Sequence, residues 1–147
     1  MLNEKIDYAF EEGDEVLIES FLDGKEVSVG VINIDGQRTI LPITEIRSKN
    51  EFFDFDAKYN GESDEITPGE LTTNELDNIH KMINTIYDNI NLSGITRSEI
   101  ILVDGIPHLL ETNTIPGFTK QSIVPQQIKA AGLSINKIIE SQIKSLL

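Results

Sequence analysis

The dipeptide Asp104-Gly105, set between two runs that alternate apolar and polar residues, restricts this part of the chain to a β-hairpin. The runs are residues 96–103 and 106–113. Side chains alternate faces along a strand, so Arg97, Glu99 and Ile101 share one side of the first run, and Leu109, Glu111 and Asn113 one side of the second. The turn decides whether those sides coincide. A two-residue turn pairs Val103 with Ile106 and sends Glu99 and Glu111 to opposite faces. A three-residue loop of Val103, Asp104 and Gly105, with Gly105 left-handed, changes the parity and brings Arg97, Glu99, Glu111 and Asn113 to one face. The three-residue loop is the register expected here.

Two carboxylates and an amide oxygen on one face imply something cationic between them, because like charges opposed across strands are destabilising. Hard oxygen donors of this kind suit Mg2+, which takes one or two carboxylates and completes its shell with water and phosphates. From composition alone, glutamates pointing to water from a solvated hairpin is the plainer reading.

The chain has 147 residues, one domain's worth, and a formal charge of −13. That balance argues against nucleic acid or an anionic membrane as partner, since no basic surface is available to neutralise phosphates. There is no cysteine, so neither a disulfide framework nor thiol chemistry is open to it. No apolar run nears the ~20 residues that cross a bilayer, and no basic-then-apolar leader opens the chain. A soluble, cytoplasmic protein is expected.

Residues 2–12 place Leu2, Ile6, Ala9 and Phe10 at helical spacing, with Gly13 as the stop. Residues 15–22, 26–34 and 39–46 alternate as strands, Asp35-Gly36 turning between the last two, and are expected to form an antiparallel meander. Residues 47–68 are polar and contain Gly, with Phe52, Phe53 and Phe55 embedded; a loop that long is usually functional. Thr72 and Glu75 form a capping box ahead of a helical stripe of Leu76, Ile79, Met82, Ile83, Ile86, Tyr87 and Ile90. Met82 and Tyr87 are expected in the core, His80 toward solvent and His108 in a structural role. Past the hairpin, a Gly/Pro loop at 114–121 leads to a short helix with Pro125 in its first turn and Gly132 as its stop, and Ser134 caps a last helix running to Leu147.

Arg97-Ser98-Glu99, then the run from Leu109 through Glu111, Thr112, Asn113 and Pro116 to Gly117-Phe118, then Gln121-Ser122-Ile123-Val124-Pro125, resemble the C-terminal signature of D-alanine–D-alanine ligases in the ATP-grasp superfamily. The similarity covers nearly the whole chain. It implies an α+β fold, an antiparallel sheet packed with helices: residues 1–24 end the central subdomain with a helix tail and adenine-hinge strand, and 25–147 form the C-terminal catalytic domain.

By that resemblance Glu19, Ser20, Phe21 and Leu22 would hold adenine and Glu26 the ribose hydroxyls, with Phe52 and Ile101 completing the ATP site; ordinary strand alternation is the alternative for Glu19 and Glu26. Ala57-Lys58-Tyr59 looks like the core of the family's active-site loop, Lys58 reaching the ATP phosphates and Tyr59 favouring a dipeptide product. Glu99, Glu111 and Asn113 would ligate two Mg2+ (or Mn2+) ions; most members carry Asp where this chain has Glu99. Arg97 would stabilise the transferred phosphoryl, the Gly117 amide would contribute to an oxyanion site, and Ser122 with Ile123 would hold the carboxylate of the second D-alanine.

The resemblance implies ATP-driven ligation: the first carboxylate attacks the γ-phosphate, and the second amine displaces phosphate from the acyl phosphate. The family's glycine-rich phosphate loop and first-substrate domain lie upstream of the matching residues. The chain is therefore expected to be the C-terminal half of a peptidoglycan-precursor ligase, inactive without its N-terminal half, with a bare edge at 15–22 able to pair with another copy. The competing readings are another ATP-grasp carboxylate–amine ligase and a noncatalytic binding or assembly module.

Overall fold

The computed structural model describes residues 2–48 and 63–147. Its organising strand is β1 (Lys25–Ile34), which pairs antiparallel with β5 (Ile95–Val103) from Lys25–Leu102 to Ile32–Ile95. The opposite edge of β1 is shared: β2 (Gln37–Ile40) takes its C-terminal half and β3 (Thr44–Ser48) its N-terminal half. With β4 (Ser63–Ile66) and β6 (Ile106–Asn113) the six-stranded sheet runs β4-β3-β1-β5-β6, β2 lying off that path on β1.

This differs from the expected meander in a way that proline explains. Residues 39–46 do not form one strand, because Pro42 brings no N–H to a ladder; the chain breaks between β2 and β3, and both return to β1. Both Asp-Gly turns have positive φ at each residue, 50° and 79° at Asp35-Gly36 and 51° and 76° at Asp104-Gly105. That is the type I′ geometry whose twist matches paired strands. The stretch expected as a loop at 47–68 contributes the end of β3 and all of β4.

Residues 15–22 are not a strand. Their apolar residues are grouped as Val16-Leu17-Ile18 and Phe21-Leu22 with no strict alternation, and they join no ladder among the described residues, which a strand's backbone groups need. The bare strand edge expected there is therefore absent, and the sheet's outer strands are β4, β6 and the short β2. Ahead of them α1 (Leu2–Phe10) buries no residue, and Leu17 and Phe21 are 80% and 73% exposed.

The two sheet faces are covered differently. On one, the odd-numbered valines of β1 (Val27, Val29, Val31) with Ile100 and Leu102 meet Ile79, Ile83 and Tyr87 of α2 (Thr73–Ile90) in the larger core cluster. Each aliphatic side chain so buried contributes ~1.5–3 kcal/mol. The capping box is present, Glu75 N–H donating to Thr72 Oγ1 at 3.3 Å and Thr72 N–H to Glu75 Oε2 at 2.7 Å. Met82 packs against this core and His80 is exposed, as the helical stripe dictates. On the other face α3 (Ile123–Ala130) and α4 (Ile135–Lys144) enclose a smaller cluster of Ile32, Leu41, Val124, Ile128 and Ile138. Beside that cluster, the same face is polar.

Candidate active site

The polar region begins with the hairpin. Val103 pairs with Ile106, so the turn is the two-residue one, not the expected three-residue loop. The ladder continues through Ile101–His108 and Ile100–Leu109, then shifts register, and Glu99 meets Glu111, Ser98 meets Thr112 and Arg97 meets Asn113. Leu110 is the extra residue of a β-bulge. It supplies the parity change the turn does not, so Arg97, Glu99, Glu111 and Asn113 do share a face. The adjacent pair Leu109-Leu110, which breaks strict alternation, is the sequence signal for it.

Glu99 is 9% exposed, Glu111 opposite is exposed, and Asn113 is half-buried. Arg97 Nε lies 2.6 Å from Glu99 Oε1 as an ion pair, without the alignment of a hydrogen bond, and Ser28 Oγ donates to the same oxygen at 3.3 Å. Glu99 Oε2 is buried and has no partner among the described residues. Burial pushes the Glu99 carboxyl above its ordinary value and the charge of Glu111 adds to this, while Arg97 and Ser28 pull it down. A buried carboxylate oxygen left unsatisfied costs at least ~1–3 kcal/mol, which marks a place where a ligand, not the fold, completes the structure.

The nucleotide candidates divide. Glu26 and Ile101 are cross-strand partners, both half-buried, two residues from Ser28 and Glu99 and so on the same face. Glu19, Ser20, Phe21 and Leu22 lie in the segment before β1, outside the sheet. Phe52, Lys58 and Tyr59 fall outside the described residues. His108, set aside as structural, stands opposite Ile101.

Beyond β6, Asn113 Oδ1 accepts from Ile115 N–H at 2.9 Å and turns the chain toward Gly117. Gly117 lies against Ser122; a Cβ on it would come within 3.1 Å of Ser122 Oγ. Ser122 is the N-cap of α3, yet its Oγ does not cap the helix. It accepts instead from Thr119 N–H at 3.0 Å and bonds to Thr119 Oγ1 at 2.9 Å. The first-turn N–H groups of α3 thus have no side-chain cap, and an anion is the natural complement of such an end. Two fully buried polar residues at this face, Ser28 and Gln127, have no counterpart in the sequence analysis. Ser28 is hidden in the valine alternation of β1, whereas Gln127 interrupts the apolar i, i+3, i+4 stripe of α3 and was detectable there.

Among the described residues no three His, Cys, Asp or Glu side chains cluster as a self-sufficient metal site. Two opposed carboxylates, one with an orphaned oxygen, and a nearby amide oxygen instead fit a hard divalent cation that shares its shell with a phosphate-bearing ligand.

The site thus sits on an antiparallel sheet backed by one long helix, with opposed acidic residues on the sheet's other face. The family model described as "D-ala D-ala ligase C-terminus" matches residues 1–144. The D-alanine–D-alanine ligase of Flavobacterium johnsoniae is 48% identical over 139 residues, which are 95% of this chain and 43% of that protein. Among solved structures, the VanG D-Ala:D-Ser ligase from Enterococcus faecalis superposes with a TM-score of 0.80 at 32% identity, covering 97% of this chain and 42% of that one. The D-alanine–D-alanine ligase from Bacillus anthracis complexed with ATP gives 0.75 at 28% identity, covering 98% and 46%. The chain belongs to the D-alanine–D-alanine ligase family, in its C-terminal part, and spans less than half the length of these relatives.

Proposed function

We propose that this chain is the catalytic C-terminal part of an ATP-dependent ligase that joins two D-alanines for peptidoglycan precursor synthesis in the bacterial cytoplasm. The opposition of Glu99 and Glu111 carries the reading: a buried carboxylate with an unpartnered oxygen, facing a second carboxylate across a bulged hairpin, has a cation as its complement. Glu99, Glu111 and Asn113 would hold Mg2+ or Mn2+, two ions in all. When bound, those ions neutralise phosphate charge during phosphoryl transfer.

The chain's own residues do the rest by position. Arg97, fixed against Glu99, would oppose charge on the transferred phosphoryl. Glu26 and Ile101 would line the nucleotide's side of the sheet with Phe52 and the segment Glu19, Ser20, Phe21 and Leu22, while Lys58 would reach the ATP phosphates and Tyr59 would favour the dipeptide product. The uncapped start of α3, with Ser122 and Ile123, would hold the acceptor's carboxylate, and the Gly117 amide would stabilise the oxyanion of the tetrahedral intermediate. Residues 1–24, with exposed Leu17 and Phe21, would belong with the N-terminal portion supplied by the rest of the enzyme. A second copy, if it pairs on a strand edge, would use β2, β4 or β6; light scattering that stays monomeric at rising concentration would exclude such pairing.

The test joins this chain to the upstream portion of the Flavobacterium johnsoniae ligase and follows ADP release with D-alanine, and separately with D-serine, as acceptor. D-alanine-dependent ADP release and dipeptide from the fusion, with none from the chain alone, is the expected outcome. A fusion that releases no ADP in response to either amino acid would refute the ligase reading.

A further inference from the structure

Gln127 lies in α3, five residues past Ser122, and is fully buried. Its neighbours on that helix face, Val124 and Ile128, are core residues, so an apolar side chain would have packed there with no polar group to satisfy. Instead its Nε2 donates to the Ser28 carbonyl at 2.8 Å and to Thr44 Oγ1 at 3.0 Å. A carbonyl only accepts, so the amide nitrogen must face β1. That leaves Oε1 buried without a partner among the described residues, pointing toward Gly30. A Cβ on Gly30 would come within 2.2 Å of that oxygen, so β1 admits the glutamine only because it carries glycine at this position.

These contacts reach the acidic hairpin in one more step. Ser28 is the ladder partner of Glu99 and its hydroxyl donates to Glu99 Oε1, while Gly30 is the partner of Arg97. A continuous path therefore runs from α3, whose first residues meet Gly117, through Gln127 and Ser28 to the carboxylate of Glu99. A helix behaves as a rigid rod over one or two turns, so whatever fixes Gln127 also fixes Ser122 and Ile123.

Resting on the ligase reading above, we propose that Gln127 is a positioning residue: its two hydrogen bonds to β1 and β3 set the distance between the acceptor-holding end of α3 and the Glu99 side of the site. It touches no substrate. Its effect is to hold the acceptor amine within attacking reach of a carbonyl placed by the hairpin, a reach that small displacements spoil.

In the ligase assembled with the Flavobacterium johnsoniae upstream portion, Gln127→Met keeps length and apolar volume while deleting both donors and the orphaned oxygen. The expected result is a KM for the acceptor amino acid raised about tenfold, a KM for ATP changed less than about twofold, and a melting temperature equal to or above that of the unsubstituted protein. Both KM values unchanged in a folded Gln127→Met protein would overturn the positioning role. Should that variant not fold, Thr44→Val, which removes one of the two acceptors at nearly constant volume, should give the same split at about two- to threefold, and no split would overturn it equally. Absence of D-alanine-dependent ADP release from the unsubstituted ligase refutes the ligase reading and the positioning role together, whereas turnover indifferent to these variants removes the positioning role alone.

Discussion

The two faces of β1 are built from alternate residues of the same ten-residue strand, and they do opposite things. Val27, Val29 and Val31 turn toward α2 and join Ile79, Ile83 and Tyr87 in the larger core cluster. Glu26, Ser28 and Gly30 turn toward α3 and the hairpin's acidic residues, where Glu99 Oε2 and Gln127 Oε1 are both left buried and unpaired. The first face is chiefly apolar packing, with the neutral hydroxyls of Tyr87 and Thr96 among its unpartnered atoms; the second leaves a carboxylate oxygen and an amide oxygen without partners among the described residues. Stability and chemistry are thus separated by the period-2 alternation of one strand, and substitutions on the two faces should separate in the same way.

The largest expected effect falls on the polar face. Glu111→Gln in the assembled ligase should lower turnover on the order of a thousandfold, ~4 kcal/mol in activation free energy, while the exposed position leaves thermal stability nearly unchanged. Steady-state kinetics beside calorimetry measures both; unaltered turnover would erase the distinction between the faces. Next comes the α2 face, where Ile83→Ala should cost about 2–5 kcal/mol of stability and leave KM values alone in protein that remains folded. Denaturant unfolding reads the first quantity, and a shifted KM for ATP would show that the faces communicate.

At the start of α2, Thr72→Ala should cost ~1 kcal/mol, since it removes an N-cap without touching the core. The smallest effect is one of pH. Glu75 is held below the ordinary carboxylate range, first by the Thr72 backbone N–H and also by Lys25. A depressed folded value means the contact's stabilisation is complete above the ordinary carboxylate range and disappears as pH falls through the depressed value. Glu75→Gln should therefore flatten the acid limb of the stability profile and do little near neutrality; an unchanged acid limb would show the capping box to be inert.

Much of this was legible from sequence because it rests on local rules. The capping box at Thr72, the α2 stripe and both Asp-Gly turns follow from residue types at short spacing, and the structure holds them all. What was not legible depended on partners distant in the chain. Residues 15–22 were expected as a strand yet join no ladder among the described residues, and Pro42 divides a run whose pattern alone looked continuous. The hairpin combines both lessons. The convergence of Glu99 with Glu111 was inferred correctly, but from the wrong device, because a type I′ turn was available at Asp104-Gly105 and the irregularity lies farther along, at Leu110. Ser28 is hidden by the valine alternation around it, whereas Gln127 had a signal, a polar residue inside the apolar stripe of α3, whose partners on β1 and β3 only the fold reveals.

Paramagnetic Mn2+, titrated with a non-hydrolysable ATP analogue into the isotope-labelled assembled ligase and followed by NMR line broadening, tests the shared cation site most directly. Simultaneous broadening of Ser28, Glu99, Glu111 and Asn113, with Glu111→Gln weakening the apparent affinity at least about tenfold, is the expected result. Broadening scattered over exposed acidic residues such as Asp88 and Glu140, indifferent to that substitution, would contradict the convergence of the two glutamates on one ion.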